Sequence, residues 1–155
     1  MDAYALTAAE RSLFDALTRR GQRFIVVGLS AAVVQGAPVT TQDIDLWLES
    51  PGDESVRDAA REAGGFWIPA FGLQPPAFGG PGLERIDVVL TVHGVDSFTL
   101  EYGRAIDASI DDVALKVLPL DRVIASKRAT NRPKDVAALP ALEATLRAMT
   151  DDPGR

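Results

Sequence analysis

A chain of 155 residues, 46% hydrophobic and 25% charged, has the length expected of one domain, residues 1–155, and ample apolar material for a single core. It contains no cysteine, which excludes disulfides and thiolate chemistry, and its formal net charge of −6 argues against indiscriminate binding of nucleic acid by the whole surface. The opening MDAYALTAAERS lacks the basic region and apolar run of a signal peptide, and no stretch approaches the roughly 18 apolar residues that span a bilayer, so a soluble, cytoplasmic protein with no membrane partner is expected.

In chain order, Thr7-x-x-Glu10 reads as a capping box with Leu6 as its staple, opening a helix whose stripe is Leu13, Phe14 and Leu17 and which ends near Gly21. Phe24 to Val27 is a short apolar run rich in β-branched residues. Ser30 to Gln35 follows as a helix stopped by Gly36 and Pro38, with Ser30 placed to cap it and present a hydroxyl. A second strand begins at Asp43, Pro51-Gly52 marks a turn, and residues 54–63 read as a helix closed by Gly64-Gly65. Phe66-Trp67-Ile68 is a candidate strand. Gly72 to Gly82, with three Pro and four Gly, reads as a surface loop over or beside the site. Residues 84–92, ERIDVVLTV, are a strand, residues 96–102 a weak helix, and residues 106–110 and 113–118 a hairpin turned at Asp111-Asp112. Residues 119–129 form a helix with Val123 and Ile124 inward. Pro133 then starts a last helix that runs to about Met149.

The chemistry concentrates in three places. Asp43 and Asp45 alternate with Ile44 and Leu46 in an extended segment, so the two carboxylates share one face roughly 6–7 Å apart. Their repulsion calls for a cation or a shared proton, and hard divalent ions such as Mg²⁺ or Mn²⁺ suit such a pair. Asp87 is set among Ile86, Val88, Val89 and Leu90, where an acidic side chain is costly without a partner; Arg85 is one candidate. Between Asp121 and Asp135, the five cations Arg122, Lys127, Arg128, Arg132 and Lys134 outnumber two anions, a segregated patch suited to a polyanion. A helix C-terminus would by itself account for Lys127 and Arg128. His93, the one histidine, has no second His or Cys for a zinc site and reads as a loop residue; Trp47 and Trp67 read as packing, with Trp47 close enough to the Asp pair for a role in holding a base.

Val27-Gly28 followed by a helix and then Asp43-Ile44-Asp45 resembles the signature of the nucleotidyltransferase superfamily that includes DNA polymerase beta. The nearest resemblance is to small bacterial members related to abortive-infection and toxin–antitoxin nucleotidyltransferases. The string ASKRATNRPKDVAALPALE resembles their C-terminal segment. The resemblance implies an α/β (α+β) nucleotidyltransferase fold, a mixed β-sheet flanked by helices, with Asp43, Asp45 and Asp87 as catalytic and metal-ligating residues for Mg²⁺ or Mn²⁺. It implies nucleotide contacts at Gly28, Leu29, Ser30, Lys127, Arg128, Arg132 and Lys134, with Asp135 holding a cation in place or favouring the helix N-terminus. The implied substrate is an NTP, the implied acceptor a tRNA, a protein hydroxyl or a small antibiotic, and an antitoxin is a candidate partner. Leu29 stands where the signature has a second small residue, and Val39 where relatives often carry a basic one.

Three readings follow. The first is an enzyme moving NMP from an NTP to an acceptor hydroxyl; the second is a catalytically silent module that binds nucleotide or a partner in the same fold. The third, a metal-dependent phosphohydrolase, has no visible base for the attacking water other than Asp87.

Overall fold

The structure is a computed structural model that describes residues 5–151. Helix α1 (Ala8–Arg19) opens on the capping box: Thr7 Oγ1 accepts from the Glu10 amide at 3.0 Å, and the Glu10 carboxylate accepts from the Thr7 amide at 2.9 Å. Leu13, Phe14 and Leu17 are fully buried, and Leu6 packs on the same core. Strand β1 (Phe24–Val27) leads into α2 (Gly28–Val34), then β2 (Ile44–Leu48) and α3 (Glu54–Glu62). A small hairpin, β3 (Phe66–Ile68) and β4 (Ala77–Gly79), precedes β5 (Ile86–Val89) and α4 (Phe98–Arg104). The hairpin of β6 (Ile106–Ile110) and β7 (Val113–Val117) and two helices, α5 (Leu120–Thr130) and α6 (Pro133–Thr150), complete the described residues.

The main sheet has the order β5-β2-β1-β7-β6. Strand β1 runs antiparallel to β2 and parallel to β7, and β2 runs parallel to β5, so the sheet is mixed. All four residues of β1 are buried, as a central strand covered on both faces requires. Each buried Ile, Leu, Val or Phe side chain contributes about 1.5–3 kcal/mol, which makes this centre the stable frame for whatever its ends carry. The turn between β6 and β7 places Asp111 at φ 48° and Asp112 at φ 67°, the left-handed pair that a tight two-residue hairpin needs.

Four expectations are corrected. Residues 72–82 are not wholly loop: Ala77–Gly79 pairs antiparallel with Phe66–Ile68, and a Cβ at Gly79 would lie 2.5 Å from the Phe66 ring. A glycine that reads as a breaker in sequence is here the space a neighbouring ring occupies. Helix α2 starts at Gly28, its N-cap Val27 having no side-chain cap, so Ser30 lies inside the helix and is not its cap. The strand expected over residues 84–92 is confined to Ile86–Val89, where its pairing with β2 runs from Ile44↔Ile86 to Trp47↔Val89. Asp43 stands just before β2 rather than in it.

Candidate active site

Gly28 turns the chain from β1 into α2 with φ +63°, and an added Cβ would lie 2.5 Å from Asp45 Oδ2. Both facts restrict the position to glycine, the second because the Asp45 carboxylate occupies the space over the turn. Ser30, fully buried, donates its hydroxyl to the Val27 carbonyl at 2.6 Å and accepts from the Asp45 amide at 3.1 Å. The hydroxyl expected to face a ligand is therefore spent on holding strand β2 to helix α2.

In the parallel pairing of β2 with β5, Asp45 stands directly opposite Asp87. Neighbouring strands lie about 4.8 Å apart, so the two carboxylates are adjacent across the ladder. Together with Asp43 they line one end of a cavity of about 880 Å³. Burial and then the charge of Asp87, helped by Asp43, push Asp45 up to about 6 against the pull of Lys127 and Lys134. Asp87 is also raised, first by burial, then by the charge of Asp43 and a hydrogen bond to it, with Lys134 opposing. A hydrogen bond between two carboxylates requires a proton between them. The guanidinium of Arg85, the partner considered for Asp87, is engaged by the buried carboxylate of Glu10 at 2.7 Å.

The facing wall comes from α5 and the start of α6. Lys127, Arg132 and Lys134 line it, and Asp135 lies between them, 1% exposed. Helix α5 is held in place from α2: the Gln35 amide donates to the Leu118 carbonyl at 2.9 Å and its oxygen accepts from the Leu120 amide at 3.0 Å. Arg128 points elsewhere. It pairs with Glu143 of α6 at 3.0 Å and is absent from the cavity lining.

The segment after β5, including Thr91, His93 and Gly94, and Leu29 of α2 also line the cavity. A Cβ at Gly94 would lie 2.6 Å from the Ala129 side chain, so this segment rests directly on α5. Nothing in the local sequence of residues 91–94 announces that contact, since its partner lies on a helix more than thirty residues later. Trp47 is 7% exposed and packs edge-on against Phe98 at 5.3 Å, and Trp67 packs on Phe78 at 4.9 Å, so both are packing residues as expected. No residue of 72–82 lines the cavity, which corrects the placement of that stretch over or beside the site.

Among the described residues, no group of three or more His, Cys, Asp or Glu side chains forms a ready metal cage. The donor set nevertheless suits a hard divalent ion. It is carboxylate oxygen throughout, and the burial and mutual repulsion that raise Asp45 and Asp87 are what a cation between them would relieve.

The mixed five-stranded sheet flanked by helices is a nucleotidyltransferase fold, as its likeness to solved structures shows. The chain is similar to the crystal structure of ANT(2'')-Ia in complex with adenylyl-2''-tobramycin, with a TM-score of 0.61 and 15% identity over 90% of this chain and 88% of that one. It is also similar to the solution structure of the antibiotic-resistance factor ANT(2'')-Ia, with a TM-score of 0.59 and 12% identity over 91% and 84% of the two chains. No protein-family model matches the sequence, and no curated protein matches it significantly. No helix among the described residues is long and apolar enough to cross a membrane.

Proposed function

We propose that the protein transfers a nucleoside monophosphate from an NTP to an acceptor hydroxyl. The observation that carries this reading is the single cavity with Asp43, Asp45 and Asp87 at one end and Lys127, Arg132 and Lys134 on the facing wall. In this reading Lys127, Arg132 and Lys134 bind the triphosphate, and their charge offsets the charge that develops on departing pyrophosphate. Asp43, Asp45 and Asp87 would hold Mg²⁺ or Mn²⁺, which when bound lowers the pKa of the acceptor hydroxyl and polarises the phosphates. As the acceptor oxygen bonds to the α-phosphorus and the bond to pyrophosphate breaks, the acceptor proton would pass to Asp87, an exposed carboxylate lining the cavity.

The acceptor classes differ in charge, and the lining leaves each of them open. Beyond the three carboxylates the remaining acid is Asp135, which is already paired with Lys127 and Arg132. The cations of the facing wall are taken up by the triphosphate in this reading, so a tRNA end, a protein hydroxyl and an aminoglycoside hydroxyl all stay as candidate acceptors. An antitoxin partner belongs to the same reading.

The test is incubation with each radiolabelled NTP and Mg²⁺ or Mn²⁺ in the presence of tRNA, total protein and aminoglycosides. Label should appear on one acceptor pool and vanish with Asp45→Asn, whose fold should survive because a carboxylate repulsion is relieved. Equal labelling by the variant would remove the carboxylates from the reaction. A second reading, a silent nucleotide-binding module, is favoured by Leu29 at the cavity flank and by the inward-turned Ser30 hydroxyl. It predicts NTP binding without label on any acceptor.

A further inference from the structure

The joint between α5 and α6 contains a buried carboxylate whose bonds exceed what a helix start requires. Asp135 accepts from the Arg132 amide at 3.2 Å, which closes the first turn of α6, and this bond alone would suffice as a cap. It also accepts from Thr130 Oγ1 at 2.7 Å and from Arg132 Nε at 2.9 Å. Its other oxygen lies 3.3 Å from Lys127 Nζ, which comes from the preceding helix and plays no part in capping. These bonds hold the Asp135 carboxyl well below the usual carboxylate range although burial acts in the opposite direction.

The chain between the helices is shaped to allow this. Asn131 takes the left-handed conformation at φ 51° that ends α5, and Pro133 starts α6 two residues later, so the Asp135 side chain is brought back under the last turn of α5. Lys127 is left 14% exposed on a wall of the cavity, between Asp135 and the carboxylates of the opposite end. Lys134, by contrast, makes no ion pair among the described residues. A long, flexible ammonium side chain would lose orientation without such an anchor.

We propose that Asp135 is a positioning residue: from its buried place between α5 and α6 it fixes Lys127 and Arg132 against the cavity, so that the cation wall meets a triphosphate as one pre-formed unit. The inference rests on the cavity being a triphosphate site, and the experiment separates the two. Asp135→Asn is the informative variant, since an amide oxygen retains the capping bond while the ion pair with Lys127 is lost. Binding of inorganic tripolyphosphate with Mg²⁺ is measured by calorimetry for wild type, Asp135→Asn, Lys127→Ala and the double variant, with circular dichroism to verify folding.

Each single variant should weaken binding by about threefold to thirtyfold, and the loss in the double variant should fall well short of the product of the two single losses, because Asp135 acts in part through Lys127 and only its hold on Arg132 remains to be lost. Asp135→Glu should recover part of the loss. Multiplicative losses in the double variant, or wild-type binding by Asp135→Asn, overturn the proposal. A ligand-free arm measures the rate at which an amine-reactive reagent acetylates Lys127, read by mass spectrometry. The rate should rise in Asp135→Asn, and an unchanged rate overturns the clamp whatever tripolyphosphate does. If wild type fails to bind tripolyphosphate, the reading of the cavity falls, and the labelling arm alone decides the clamp.

Discussion

The Asp45 carboxylate is placed by two small residues. Gly28 leaves the space that Asp45 Oδ2 fills, and Ser30 bonds the Asp45 amide from inside the helix. Gly28→Ala would need both a strained φ and a displaced carboxylate, since 2.5 Å is far inside contact distance. We expect this variant to lose about 1–3 kcal/mol of stability and most of its Mg²⁺ affinity. Thermal unfolding and metal titration measure the two effects, and wild-type metal binding would show that the carboxylate can move aside at no cost.

The α5–α6 joint and the β3–β4 hairpin are elements with opposite expectations. Because the folded-state pKa of Asp135 is depressed, its contribution to stability is fully present above the ordinary value of 3.8 and is lost as the pH falls below it. Asp135→Asn should therefore destabilise the protein by about 1–3 kcal/mol at neutral pH and flatten the acid limb of its stability profile. Denaturant midpoints at a series of pH values test this, and a parallel, undiminished acid limb would contradict it. The hairpin instead projects Phe71 at 83% and Leu73 at 103% exposure, with no share in the cavity. Phe71→Ser and Leu73→Ser should each change stability by no more than about 0.5 kcal/mol and leave nucleotide binding unchanged. A large loss of binding in either would connect the hairpin to the site.

Over the whole molecule, a net charge of −6 coexists with a local wall of cations, and the fold decides which cations belong to it. Arg128 is adjacent to Lys127 in sequence yet is turned away to Glu143. Arg128→Ala should leave NTP affinity unchanged, whereas Lys134→Ala should weaken it by about tenfold to a hundredfold, the loss of one charge-assisted phosphate contact. Added salt should weaken wild type more steeply than Lys134→Ala, which has already lost part of the attraction. Calorimetry at two ionic strengths checks both, and equal effects of Arg128→Ala and Lys134→Ala would mean that a diffuse field rather than the cavity wall holds the phosphates.

Features governed by neighbours a few residues away were legible in the sequence. The Thr7–Glu10 box, the β1 run, the Asp111-Asp112 turn and the break at residues 131–133 all depend on local sterics and hydrogen bonds. What required the tertiary structure is long-range. The Asp45–Asp87 register joins strands about forty residues apart, Glu10 engages Arg85, Arg128 departs to Glu143, and residues 77–79 become a strand only because residues 66–68 lie beside them. Ser30 shows the division most directly: a serine after a strand reads as a cap, its hydroxyl bonds the Val27 carbonyl locally, and only the packing of β2 against α2 brings the Asp45 amide to it. Local chemistry proposes a role for each side chain, but the direction in which that side chain points is set by partners that folding brings from elsewhere in the chain.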